Sequence, residues 1–445
     1  AEKCGISHAE LAPAIERSSR FFSYYVGKGT IPYGEHVPVA EHDNNGKSGL
    51  AALAFTIQGG KFTQSRFFSR MSAAGASRRE YGHTGPFFSY LWTALGANCG
   101  GQEAAAAYFK EVRWHLELAR RWDGSFSYDP KGGGSGNDYY NFSTTAAYLL
   151  TYATPLRKLW ITGKSPLAGN LLGSAEVAEA VASGNYNAAA RSTQELVSDL
   201  GSWSPMVRDR AAKALAGRTS ETAALVPGLI AMVQGSDQAR RVGACQALGL
   251  IKDTRALDVL VASLTDPDRY VRYAAGIAMT DLGEAARPRL NDILTAAAAN
   301  DEAPLPPVWE DPIHLGNGRL AFTLFYPGGA YGGPGLLSKS ITGVDRSFLY
   351  PAIRAISKNP DGLSRSSLRS TYGLLTFTDV LALAPEIVTS IENLCEANTM
   401  FGNGVRLTGI DMLARYRIAE GVPLTKIVIE QDGVGRADRE VNCLQ

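Results

Sequence analysis

Three stretches of this chain can be laid over one another: SPMVRDRAAKALAG at 204–217, SDQARRVGACQALGL at 236–250 and DPDRYVRYAAGIAMTDLG at 266–283. Arg208, Arg241 and Arg272 fall in equivalent places, 33 and 31 residues apart. Behind each arginine the small residues Ala211, Ala244 and Ala275 match, then the larger Leu215, Leu248 and Met279. Each stretch opens on Ser or Asp, the residues that cap helix N-termini, and continues with apolar residues at helical spacing. A second apolar segment follows each: ALVPGLIAMV at 224–233, RALDVLVASL at 255–264 and RPRLNDILTA at 287–296. A period of this length built from paired helices means that each pair buries its apolar stripe only by stacking on its neighbours.

The pattern resembles HEAT-type repeats and implies a solenoid of helical pairs over 166–300. Helical periodicity returns in LLTFTDVLALAPEIVTSI and VRLTGIDMLARYRIAEG, so 346–445 is expected to hold further helical repeats. Between them, 301–345 contains DEAPLPPVWEDP and FYPGGAYGGPGLL. Its Pro, Gly and aromatic residues predict a long loop rather than long helices.

The first 165 residues have a different rhythm. Apolar helices are expected near 8–26, 47–58, 86–96, 102–121 and 143–154, separated by Gly-rich polar loops. Three junctions share a plan: HDNNGKSGLAALAF, REYGHTGPFFSYLW and NDYYNFSTTAAYLL each pass from polar residues into an apolar helix. If these hairpins pack about one axis, three helix N-termini gather at one rim. The turn Trp122-Asp123-Gly124-Ser125-Phe126 is similar to the aromatic/Asp-Gly-Ser/aromatic turn of squalene-cyclase and prenyltransferase-like α/α toroids. Together with HDNNGKSG, Tyr81-Gly82-His83-Thr84-Gly85-Pro86 and the repeats that follow, it resembles an uncharacterised bacterial family that joins such a toroid to HEAT-like repeats. The resemblance implies an all-α fold, a partial α/α toroid over 1–165 followed by a HEAT-like α-solenoid. It carries no activity with it, because the DxDD acid motif of the cyclases and the zinc ligands of the prenyltransferases are missing.

Composition narrows the function. The chain has 445 residues, 45% apolar and 20% charged, with a formal net charge of +1. Nothing steers it toward nucleic acid, and no apolar run is long enough to span a bilayer. The five cysteines are scattered without a CxxC, which excludes a local zinc knuckle. The N-terminus has no signal-peptide pattern; a processed product would favour a secreted or periplasmic location.

The candidate chemistry sits at the three junctions. Only six His occur, and two of them, His36 and His42, lie in one short polar stretch with Glu41, Asp43 and Asn45. Gly46-Lys47-Ser48 lacks the upstream glycine and strand of a phosphate-binding loop. Imidazole and carboxylates suit a divalent ion, but the spacing specifies none, so no metal and no cofactor is assigned. His83 beside Tyr81 forms an acid/base pair. Toroidal lyases use such residues, a fold-level analogy.

Two readings follow. One is a carbohydrate-active enzyme, a polysaccharide lyase or hydrolase, in which His83 or His42 is the base, Tyr81 the proton donor and Asn45 steadies the substrate's acid group. Glu41, Asp43, Lys47, Arg121, Asp123, Tyr139 and Asn141 would then bind substrate. Helix N-termini with Lys47, Arg78 and Arg79 nearby favour an anionic ligand. The other reading is a non-catalytic binding or scaffold protein, its solenoid holding a protein partner and its toroid a glycan or peptide.

Overall fold

A computed structural model describes residues 4–32, 38–78, 86–126, 145–156, 167–299, 315–329, 333–359, 362–397, 403–424 and 426. The fold is all-α: among the described residues extended pairing is confined to two isolated bridges, Thr30 with Val39 and Arg120 with Phe126. The chain forms two compact units, Ala1–Ala214 and Leu215–Gln445.

The first unit contains α1 (Leu11–Ser23), α2 (Lys47–Gln58), α3 (Phe62–Ala74), α4 (Pro86–Cys99), α5 (Gln102–Ala119), α6 (Thr145–Ala153), α7 (Ser174–Gly184), α8 (Thr193–Asp199) and most of α9 (Pro205–Gly217). Helix α3 was not expected. Its sequence, FTQSRFFSRMSAA, reads as weakly amphipathic, yet it packs against α2, α4, α5 and α7. The reason is its serines: Ser65, Ser69 and Ser72 are wholly buried. Their small side chains let neighbouring helices approach. Ser72 Oγ bonds back to the Phe68 carbonyl at 2.8 Å and Ser65 Oγ meets Thr56 Oγ1 at 2.6 Å.

Helices α2 and α4 run parallel and touch through glycine. A Cβ on Gly49 would lie 2.2 Å from the Trp92 carbonyl oxygen, and one on Gly96 would lie 2.3 Å from the Gly49 Cα. Helix α3 returns antiparallel to α2: the Phe55 and Phe68 rings stack at 5.9 Å, while Gly75 at its far end faces Asp43 at the start of α2.

The second unit contains α10 (Thr222–Val233), α11 (Gln238–Ile251), α12 (Leu257–Ser263), α13 (Arg269–Leu282), α14 (Leu290–Ala298), α15 (Leu315–Phe325), α16 (Arg346–Ser357), α17 (Gly362–Ser366), α18 (Leu368–Tyr372), α19 (Phe377–Ala397) and α20 (Asn403–Arg415). Helices α11, α13 and α15 stack in succession, as do α14 and α16. The stretch expected to be a loop differs in one place. Helix α15 occupies the segment between Pro312 and Pro327, where no proline interrupts the backbone.

The repeated positions have a common physical use. Ala211, Ala244, Ala275, Leu215, Leu248 and Met279 are all wholly buried. The opening residues cap their helices: Ser204 Oγ accepts Val207 N–H at 3.2 Å, Asp237 Oδ1 accepts Arg240 N–H at 2.9 Å and Asp268 Oδ1 accepts Tyr270 N–H at 2.8 Å. The arginines tie each helix to the turn before it. Arg208 donates to the Ser202 and Trp203 carbonyls, Arg272 to those of Asp266 and Pro267, and Arg241 to the Val233 carbonyl and the Asp266 carboxylate. Removing one half-buried arginine deletes charge-assisted bonds to carbonyls, each worth a net about 1.5–3 kcal/mol when enclosed and less where solvent reaches it. Arg272→Ala is therefore expected to destabilise the second unit by about 1–2 kcal/mol, read as a shifted urea midpoint at unchanged slope.

Candidate functional site

Residues 38–46 lead from the Thr30–Val39 bridge into α2, and their geometry follows from a tight turn. Asp43 Oδ2 accepts the Gly46 N–H at 3.1 Å, and the Lys47 N–H reaches the Asn44 carbonyl at 3.2 Å. Two successive residues, Asn45 (φ 54°) and Gly46 (φ 70°), are left-handed. Asn is among the few side chains that tolerate this region. Gly46 has no substitute, since a Cβ there would stand 2.2 Å from the Phe88 carbonyl oxygen. Asp43 thus closes the turn through the Gly46 N–H rather than capping α2. The N-cap is Gly46, without a side-chain cap, and Ser48 Oγ instead meets Thr30 Oγ1 at 2.7 Å.

The turn is a closed polar knot rather than an open rim. His42 and Asp43 are wholly buried, and Asn44 and Asn45 nearly so. His42 Nε2 lies 2.7 Å from Ser204 Oγ, and its ring stacks on Trp203 at 5.9 Å and 19°. The Arg70 guanidinium sits 3.9 Å from the Trp203 ring centroid. Burial, with Arg210 and Arg78 nearby, pushes the His42 pKa down to about 3. Asp43 also accepts from Thr93 Oγ1 at 3.1 Å, but burial outweighs its hydrogen bonds and raises its carboxyl above the usual range. Lys47 is pushed down by burial, which Asp43 opposes. Glu41 is raised by burial against the pull of Arg78, with which it forms an ion pair at 2.9 Å.

Among the described residues, His42 Nδ1, Asp43 Oδ1, Asn44 Oδ1 and Asn45 Oδ1 are enclosed without a hydrogen-bond partner. Such density of unsatisfied buried atoms marks a functional or water-holding locus. Among the described residues no three His, Cys, Asp or Glu side chains come together to hold a metal ion.

Arg121 and Asp123 belong to a separate turn. Arg121 N–H donates to the Ser125 carbonyl at 2.8 Å, and Asp123 Oδ1 accepts the Ser125 N–H at 2.9 Å and its hydroxyl at 2.7 Å. Those two hydrogen bonds hold the Asp123 carboxyl below its usual range. The turn delivers Phe126 to the core against Tyr148, and Phe126 N–H donates to Thr145 Oγ1 at 3.1 Å. His115 on α5 is buried and stacks on Tyr90 at 5.1 Å. Ring contacts among Tyr90, His115, Tyr148 and Phe126 account for its burial.

Tyr81, His83, Tyr139 and Asn141, along with His36 and Arg79, lie outside the described residues. Trp203, Ser204, Arg70 and Arg210 were not foreseen as neighbours of His42. Only the Ser-Pro helix start at 204–205 carried any signal, and it marked a cap.

The helical pairs with capped, arginine-tied turns that begin at α9 have the form of HEAT repeats. Comparison with known families agrees: residues 193–280 and 226–305 match HEAT repeats. Residues 1–163 match a domain of unknown function (DUF6288). No curated protein and no solved structure matches the chain. Among the described residues no helix is long and apolar enough to cross a membrane.

Proposed function

We propose that this chain is a binding or scaffold protein whose helical repeats dock a protein partner, with the residues around α2 and α4 forming part of an α/α toroid-like layer. The observation that carries this reading is a cleft of about 390 Å³ between α10 and α12. Val233 and Val259 line its floor beside the half-buried Arg241–Asp266 ion pair, and its rim is polar and exposed, with Gln234, Arg255 and Asp258. A concave surface that offers apolar side chains, a fixed ion pair and a polar rim suits a protein partner. The parallel run of α2 and α4, with α3 packed against both and antiparallel to α2, supports the toroid-like arrangement.

The catalytic alternative, a lyase or hydrolase acting on a polysaccharide, loses His42 as its base. An enclosed imidazole with a pKa near 3 is a weak proton acceptor at neutral pH. That reading then rests on Tyr81 and His83. A photoreactive amino acid at the exposed rim residue Ala262 tests the docking reading in cells of the source organism. One discrete protein adduct is expected, abolished by Arg255→Glu with Asp258→Lys. Absence of any adduct, together with new ultraviolet absorbance from unsaturated uronates on incubation with uronic-acid polysaccharides, would replace docking with catalysis.

A further inference from the structure

Among the described residues the most exposed large apolar side chains are Trp122, 98% exposed, and Leu118, 79% exposed. They belong to one surface. Helix α5 turns Tyr108, Val112 and Leu116 into the core, while Lys110, Trp114 and Leu118, also at four-residue spacing, stay exposed and lead into the turn that carries Trp122. Arg113, Arg120 and Arg121 border this row in the chain and are exposed as well. The acids among them are engaged. Glu117 pairs with Arg113 at 3.5 Å, and Asp123 accepts the Ser125 N–H and hydroxyl.

The backbone under Trp122 is fixed. Gly124 N–H donates to the Arg121 carbonyl at 3.1 Å, which makes Trp122 a corner residue of a β-turn, and Gly124 takes the left-handed φ of 84° that closes it. Arg120 and Phe126 form a bridge across its base, and Phe126 is buried against Tyr148 at 5.3 Å. An indole carried by an ordered turn loses little further freedom on contact, and its ring brings about 150–250 Å² of surface to bury. A ring open to water on nearly every side stands proud of the surface, with no walls for a partner to complete. The headgroup layer of a bilayer accepts such a projecting indole without a shaped pocket, and its anionic lipids attract the neighbouring basic groups.

We propose that Trp122 and Leu118, with Lys110, Arg113, Arg120 and Arg121 around them, form a docking surface for an anionic lipid bilayer. The indole and the leucine enter the headgroup layer, and the basic groups meet lipid phosphates. The surface uses residues of the first unit alone and stands whether or not the cleft between α10 and α12 docks a protein.

The test sediments the full chain with vesicles of phosphatidylcholine and phosphatidylglycerol at roughly 3:1, and with vesicles of phosphatidylcholine alone, in about 0.1 M salt. The chain is expected to follow the anionic vesicles, to ignore the neutral ones and to be released as the salt is raised. Leu118→Ser with Trp122→Ser is expected to weaken partitioning by about tenfold or more. Arg120→Glu with Arg121→Glu is expected to lose a comparable factor. All four positions are exposed, so the urea midpoints of both variants should match the parent's. If the apolar pair is unstable, Trp122→Ser alone, at the barest position, carries the same test. A parent that stays in the supernatant with anionic vesicles overturns the proposal. So does equal binding to neutral vesicles, or binding that neither variant weakens. Retention on a soluble uronic-acid polysaccharide through Arg120 and Arg121, with the vesicles ignored, would make the turn a glycan platform instead.

Discussion

Gly96→Val is expected to lower the unfolding free energy of the first unit by about 3 kcal/mol or more, enough to remove much of a domain's stability. The effect comes from distance. Even a methyl at this position would stand 2.3 Å from the Gly49 Cα and 2.4 Å from Ser72 Oγ, so α2, α3 and α4 must separate to admit it. Two of the three obstructing partners are backbone atoms of α2, which no rotamer change can move. Separation would also disturb the Gly46 turn, because that turn rests on Phe88 and Trp92 of the same helix. Helix propensity predicts the opposite sign, since glycine is the poorer helix former. Gly228→Ala is the control: nothing lies within 4 Å of its Cβ position in α10, and it is expected to stabilise the second unit by about 0.4–1 kcal/mol. Chemical denaturation of the two variants, read on their own units, checks both signs. A Gly96→Val protein as stable as the parent would mean that α2 and α4 do not meet through these glycines.

Why this contact was invisible in the sequence is instructive. The repeats were legible because one arrangement recurs: capping Ser204, Asp237 and Asp268, then Arg208, Arg241 and Arg272, then buried alanines. Repetition converts weak local signals into a strong one. Helix α3 had no such help. Ser65, Ser69 and Ser72 look like solvent-facing residues, and only the close approach of neighbouring helices makes serine the right size for the interior. Helix α15 was hidden for a related reason, since prolines on either side masked a proline-free run long enough for three turns. The polar junction at 41–47 was legible as a special place, because His, Asp and two Asn before an apolar helix demand an explanation. Its burial was not legible. The partner of His42 is Ser204, 162 residues away, and nothing local announces that a tryptophan and a helix cap close over the imidazole.

That enclosure makes His42 a source of pH dependence in the first unit. Its pKa is about 3 in the folded chain and about 6.5 in the unfolded one, so folding releases a proton below pH 6.5. The sign follows: the neutral ring's contribution is fully present above pH 6.5 and is lost as the pH falls toward 3, at up to about 1.4 kcal/mol per pH unit. Two neighbours act in the other direction. Glu41 and Asp43 have raised carboxyl pKa values, so their protonation favours the folded chain as the pH falls through the range above 4. Arg78 and Arg210 beside the ring oppose a proton on His42. The net slope is the difference of these two effects, and the difference between the parent and a His42 variant between about pH 6.5 and 5 isolates the imidazole's part. Urea midpoints of the parent are expected to fall across that window relative to those of His42→Gln, which keeps a polar group near Ser204 but cannot take up a proton, even if the variant's stability at pH 7.5 is lower. The comparison is of slopes, so general weakening by the substitution does not obscure it. A His42→Gln variant with the same slope as the parent would mean that solvent reaches this ring in the folded chain. In that case the imidazole would regain its standing as a base, and the catalytic reading of the 41–47 turn would come back with it.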